Sequence, residues 1–281
     1  MDSRTGKKVR LGRVLDPVDG RGVVVAASHG VMSGPPAGLR TLPEIRKVFD
    51  QLQQADAVMV SPGMLPHLED HFVGRDRPGL VLHLDWKNVG RRTYTPGKDG
   101  RSEGVLAQLA SIEEVAAAGV DAVMTYLYVG QRDSTLERAE IDRNARIVRD
   151  CEKWGIGVII EPRSALEGDD EAALSTEVMS LYCRIAADIG ADVVKALWNG
   201  SAESFQPVAE TCFAPILVAG GPGGEDGTAT LRLAEDSIAA GAAGVMFGRR
   251  VFRAPDPAAV LAGLRSVVHG GESAETAGEL L

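Results

Sequence analysis

The sequence predicts a single (β/α)8 barrel, a TIM barrel, over residues 1–281, with residues 1–20 as an N-terminal extension and 270–281 as a polar tail. Three observations carry this expectation. Short apolar runs rich in Val, Ile and Ala alternate with longer segments of helical spacing, the pattern of a parallel sheet whose strands are joined by helices. There are eight such runs, and their near-continuous hydrophobicity suits strands covered on both faces. Polar residues and glycines gather at the C-terminal ends of the runs, where barrel enzymes place their chemistry. A doubly wound open sheet shares the alternation and stands as the alternative.

Taken in order, the first strand is VVVAAS (23–28), followed by His29-Gly30, and the second is AVMVSP (57–62). The third, LVLHLDW (80–86), ends at Asp85-Trp86-Lys87 and leads into residues 88–104, a long stretch rich in glycine and charge that reads as a loop beside the barrel mouth. A helix at SIEEVAAAG (111–119) precedes the fourth strand, AVMTYLYV (122–129), which carries Tyr126 and Tyr128. Amphipathic helices at 136–154 and 174–189 flank the fifth strand, GVIIEP (157–162), with Glu161 at its end. The sixth, DVVKALW (192–198), places Lys195 and Trp198. PILVAGG (215–221) and GVMFG (244–248), separated by the helix LRLAEDSIAAG (231–241), bring Gly220-Gly221 and Gly248-Arg249-Arg250 to the same end. Gly119, Gly155, Gly190 and Gly241 close the helices as left-handed caps.

Composition narrows the function. A chain that is 44% hydrophobic and 25% charged is built to bury a core, and a net charge of −9 argues against a nucleic-acid or anionic-membrane surface as partner. No apolar run approaches a membrane span, and MDSRTGKKVRLGRVLD lacks the apolar core of a secretory signal, which predicts a cytoplasmic protein. Cys151, Cys183 and Cys212 are widely spaced and read as buried free thiols; no metal site or cofactor is expected from the sequence.

Among the strand ends, Gly220, Gly221, Gly248 and Arg249 form the pattern of a barrel phosphate site, in which glycine N–H groups approach an oxyanion and a guanidinium adds charge. The ligand this fits is a small phosphorylated metabolite. Lys195, directed into the barrel by alternation from Val193, is either a Schiff-base nucleophile or a structural partner of Glu161 or Asp85. Glu161 follows three apolar residues and is placed to move protons, or to act as counter-ion to Lys195 or Arg163. Tyr128 reads as a proton donor or as core, and His29, a lone histidine by a tight turn, as a residue that orients substrate.

In this order the motifs SHGVMSGPPAGL, YLYVG, GADVVKALWNGS, VAGGPGG and AGAAGVMFGRRVF resemble the archaeal-type class I aldolase family across nearly the whole chain. That family includes fructose-bisphosphate aldolases, aminodideoxyheptulosonate synthases and a thiolase acting on a phosphorylated autoinducer. The resemblance implies a barrel aldolase in which Lys195 forms an iminium with a ketone donor and the Gly-Gly-Pro and Gly-Arg turns bind the donor's phosphate; in that chemistry Glu161, helped by Tyr128, is the expected mover of protons. It implies no cofactor, and a homo-oligomer. An acyl-transferase or transaldolase-like reaction on the same lysine, and a phosphate-binding barrel or isomerase without imine chemistry, are the rival readings. Two departures stand out: Ser28 replaces the family's Asp before His-Gly, and Glu161 replaces the Tyr before Pro-Arg, as in tagatose-bisphosphate aldolases. Ser28, His29, Asp85, Lys87 and Trp198 are the expected substrate contacts, the third-strand end setting the acceptor pocket.

Overall fold

A computed structural model describes residues 2–87, 106–131, 133–164, 170–221 and 226–281. Eight parallel strands close into a barrel: β1 (Gly22–Ala26), β2 (Ala57–Val60), β3 (Gly79–His83), β6 (Ala122–Val129), β7 (Gly157–Ser164), β8 (Val193–Leu197), β9 (Ile216–Ala219) and β10 (Gly244–Phe247). β4 (Asp85–Lys87) and β5 (Leu106–Gln108) form a separate antiparallel ribbon. The expected loop at 88–104 falls outside the described residues.

The period-two alternation of each strand divides the core into two layers. Val24, Ala26, Met59, Val81, Met124, Ile159, Val193, Leu217 and Met246 fill the barrel lumen, while Val23, Val25, Val58, Ile160, Val194 and Val218 pack outward against the helices. Both layers are almost free of solvent, which is why the strands read as unbroken apolar runs. Long helices Ser134–Trp154 and Thr176–Ile189 end at Gly155 and Gly190 in the left-handed conformation, with φ of 65° and 111°, as their sequences predict.

The two chain ends do more than their compositions foretell. A helix at Ser3–Leu11 leads to Val14, which is completely buried in the base of the lumen. There Gly79 lies so close to the Arg13 carbonyl that any Cβ would collide with it. Residues 270–281, expected as a polar tail, include a helical turn, Ala274–Ala277, whose Ala274 and Ala277 are buried. The Leu281 side chain closes over Gly227, so this segment docks on the helix Gly227–Ala239.

The third strand also departs from the sequence expectation. The run 80–86 is not one strand: β3 stops at His83, and from Asp85 the chain turns out of the barrel to pair with β5. Inward alternation therefore ends with His83.

Candidate active site

Strand register decides which polar side chains meet. Tyr126 of β6 is the register partner of Glu161 of β7, and the β7–β8 pairing Ile159↔Val193 sets Lys195 level with Glu161, both facing the lumen. Lys195 Nζ lies 2.8 Å from Glu161 Oε2, with only 9% and 5% of the two side chains exposed. The other carboxylate oxygen, Oε1, accepts from Arg163 Nη1 at 3.2 Å. Glu161 is thus a desolvated carboxylate held between two cations, each on its own oxygen.

These residues line a cavity of about 670 Å³ at the C-terminal mouth of the barrel. Ser28, His29, Trp198, Gly220, Gly221, Gly248, Arg249 and Arg250 share it. Trp198 is fixed by stacking on Phe205, with ring centroids 5.1 Å apart. Arg249 Nη2 donates to the Gly221 carbonyl at 2.9 Å and Arg250 Nε to the Gly220 carbonyl at 2.5 Å, tying the turn after β9 to the short helix Arg249–Phe252 after β10. Gly221 has a φ of 62°, which permits that turn. Burial, then the charges of Arg253 and Arg250, disfavours the charged form of Arg249. Cations crowd at this end of the cavity, an arrangement that an anion would relieve.

His29 packs edge-on against Phe252, with centroids 5.2 Å apart, and its ring fills the space where Gly248 would otherwise carry a Cβ. Burial, followed by the Lys195 and Arg249 charges, pushes its imidazole down to about 4. At neutral pH it is an uncharged hydrogen-bonding group.

Two expected site residues, Asp85 and Tyr128, are placed elsewhere. Asp85 is fully buried and does not line the cavity: its carboxylate accepts from Thr125 Oγ1 (2.7 Å), the Tyr126 amide (2.6 Å) and Arg143 Nη1 (2.9 Å). Because the strand ends before it, Asp85 faces the outer side of β6 and ties the Ser134–Trp154 helix to the barrel, a structural role rather than a substrate contact. Tyr128 is completely buried and one layer beyond Glu161, in register with Arg163, and is absent from the cavity lining. The phenol at the level of Glu161 is Tyr126, which lines the cavity and donates to Met32 Sδ at 3.1 Å. Burial, then the Glu161 charge, raises Tyr126 well above the usual phenol range, so it serves as a hydrogen-bond donor and stays protonated. Lys87 ends β4, and its side chain lies outside the described residues. The three cysteines are free and buried.

Sequence reasoning missed His83. Its ring lies inside the barrel, fully buried, with Nδ1 2.8 Å from Ser28 Oγ. The only signal available was its inward parity on the third strand, next to the better-noticed Asp85.

Residues 23–254 match the DeoC/LacD family aldolase domain, a span that takes in every barrel strand but the first residue of β1. The chain belongs to the DeoC/LacD aldolase family. It is 31% identical over 264 residues to an uncharacterised aldolase of Saccharolobus solfataricus, covering 94% of each chain. It is 32% identical to a 2-amino-3,7-dideoxy-D-threo-hept-6-ulosonate synthase of Halobacterium salinarum, covering 97% of this chain and 95% of that one. In fold it is similar to an archaeal fructose 1,6-bisphosphate aldolase, with a TM-score of 0.77 at 24% identity, over 94% of this chain and 100% of the other. As a DeoC/LacD family aldolase it is a lyase acting on a carbon–carbon bond. Among the described residues, no helix is long and apolar enough to cross a membrane.

Proposed function

We propose that this aldolase makes or cleaves a carbon–carbon bond in a phosphorylated ketose or related ketone phosphate, through an iminium on Lys195. The observation that carries the reading is the buried 2.8 Å contact between Lys195 and Glu161 in a cavity whose far side is crowded with Arg249 and Arg250. Transfer of the Lys195 proton to Glu161 leaves a neutral amine that attacks the donor carbonyl. The attacking nitrogen gives one of its protons to the oxygen, forming the carbinolamine, and Glu161 returns the proton it took to that hydroxyl, which departs as water and leaves the iminium. The same carboxylate next removes a proton from the adjacent donor carbon, and the iminium takes up the electron pair as an enamine. Arg163 holds Glu161 in place as its charge changes.

The donor's phosphate is assigned to the turn at Gly220-Gly221 and to Arg249 and Arg250, with Gly248 leaving room for His29 beside it. Tyr126, rather than the enclosed Tyr128, supplies the phenol that hydrogen-bonds the reacting carbons' oxygen. Trp198 forms an apolar wall of the cavity.

The test is borohydride trapping with a panel of ketone phosphates, read by intact mass. Wild type should give the stable adduct and Glu161→Gln the same adduct more slowly, with turnover in the variant down by about 100-fold, the usual size of a general acid–base contribution. Lys195→Arg should give neither adduct nor turnover, because a guanidinium is not nucleophilic here. An active enzyme that is never trapped would remove the Schiff base. Loss of the adduct in Glu161→Gln would place its indispensable proton transfers before the iminium, in freeing the Lys195 amine and expelling water.

A further inference from the structure

We infer that Ser28 and His83 form a proton relay on the side of the cavity facing Glu161, and that this relay serves the oxygen of the acceptor carbonyl in the carbon–carbon step. The inference rests on the Schiff-base reading above and assigns a second proton path within it. Following the closed strand order, β1 stands four positions from β7 in a ring of eight, so Ser28, just beyond β1, looks across the mouth at Glu161. Ser28 lines the cavity, and its Oγ is 2.8 Å from Nδ1 of the fully buried His83. In register, the residue between them on β2 is Ser61, small enough to let the pair meet across that strand.

The carbon–carbon step moves a proton at the acceptor's oxygen, on the side away from the donor. Bond formation turns the acceptor's carbonyl oxygen into a hydroxyl, which must gain a proton, and cleavage must remove it. Glu161 is engaged on the donor side by Lys195 on one oxygen and Arg163 on the other. The other histidine of the mouth, His29, is held in its neutral form by burial and neighbouring cations. A serine hydroxyl backed by an imidazole can carry the proton. In cleavage, the substrate hydroxyl gives its proton to Ser28 Oγ as Ser28 passes its own to His83 Nδ1. The carbon–oxygen double bond then forms, and the electrons of the broken carbon–carbon bond move into the iminium. In synthesis every transfer reverses. Ser28 is the catalytic residue, and His83 positions its hydroxyl and receives its proton.

The experiment separates the two proton paths. Dihydroxyacetone phosphate in D2O is the donor probe, with deuterium uptake at the donor carbon and the borohydride adduct both measured, and condensation with glyceraldehyde 3-phosphate followed in parallel. Ser28→Ala and His83→Asn should keep adduct and deuterium uptake within about threefold of wild type while condensation falls by about 100-fold. Ser28→Thr, which keeps a hydroxyl, should recover part of the loss. Glu161→Gln should still give the adduct, though more slowly, and lose deuterium uptake and condensation together, because both need the enamine. Condensation within about threefold of wild type in Ser28→Ala would overturn the relay, as would equal loss of all three readouts in that variant, which would make the pair structural. Should His83→Asn fail to fold, Ser28→Ala decides alone. A wild-type enzyme that neither traps nor exchanges this probe defeats the Schiff-base reading for this donor, and the relay falls with it.

Discussion

Replacing Asp85 with Ala should destabilise the protein without disabling the amine chemistry. Its carboxylate is fully buried and accepts three internal hydrogen bonds, from Arg143, Thr125 and the Tyr126 amide, at 2.6–2.9 Å. Removing it leaves the Arg143 guanidinium, whose side chain is only 17% exposed, without its closer acid, and leaves two buried donors short of an acceptor. Breaking a buried ion pair from one side typically costs 3–5 kcal/mol. Glu140 remains 3.2 Å from Arg143 as a second acid, which moves the expectation to the lower end, about 3 kcal/mol. Urea unfolding followed by far-UV circular dichroism would register this as a lower midpoint at unchanged slope. Borohydride trapping per folded molecule should stay at the wild-type level. A variant within about 0.5 kcal/mol of wild type, but with a greatly raised KM, would refute the reasoning and return Asp85 to the substrate.

Arg249→Ala should weaken binding of a phosphorylated donor by roughly 10- to 100-fold, as expected for one charge-assisted contact of about 1.5–3 kcal/mol, and leave an unphosphorylated donor almost unaffected; equal losses would make Arg249 structural. Gly248→Ala should distort the mouth, because the new methyl would run into both the His29 ring and the Ala26 carbonyl; a crystal structure with His29 unmoved and normal donor affinity would contradict this. At the opposite end of the barrel, His269 bridges Asp19 and Asp56 at 2.8 Å each, and its pKa is raised, first by the Asp56 hydrogen bond. A raised folded-state pKa gives stability that is fully present below the unfolded value of about 6.5 and lost as pH rises through the folded value, so His269→Asn should flatten the alkaline side of the stability profile. The lowered pKa values of Asp19 and Asp56 set the acid limit, their stabilisation being present above about 3.8 and lost on falling pH; identical pH profiles for wild type and variant would refute the bridge.

The sequence by itself determined the alternation of strands and helices, the inward direction of Lys195, the place of Glu161 at a strand end, and the glycine-arginine turns after the last two strands. Those features depend on local rules: a side-chain period of two, apolar faces that repeat along one segment, and turns that need glycine. What only the tertiary structure decided depends on distant partners. The register of β6 on β7 made Tyr126, not Tyr128, the phenol level with Glu161. The pairing of residues 85–87 with 106–108 ended inward alternation at His83 and turned Asp85 toward Arg143 on the Ser134–Trp154 helix. Ser28 and His83 are 55 residues apart and meet only because the strands bearing them flank β2 in a closed ring. Parity is written residue by residue along a chain, but where a strand stops and which strand lies beside it are fixed by burial and hydrogen bonding against segments far away in sequence.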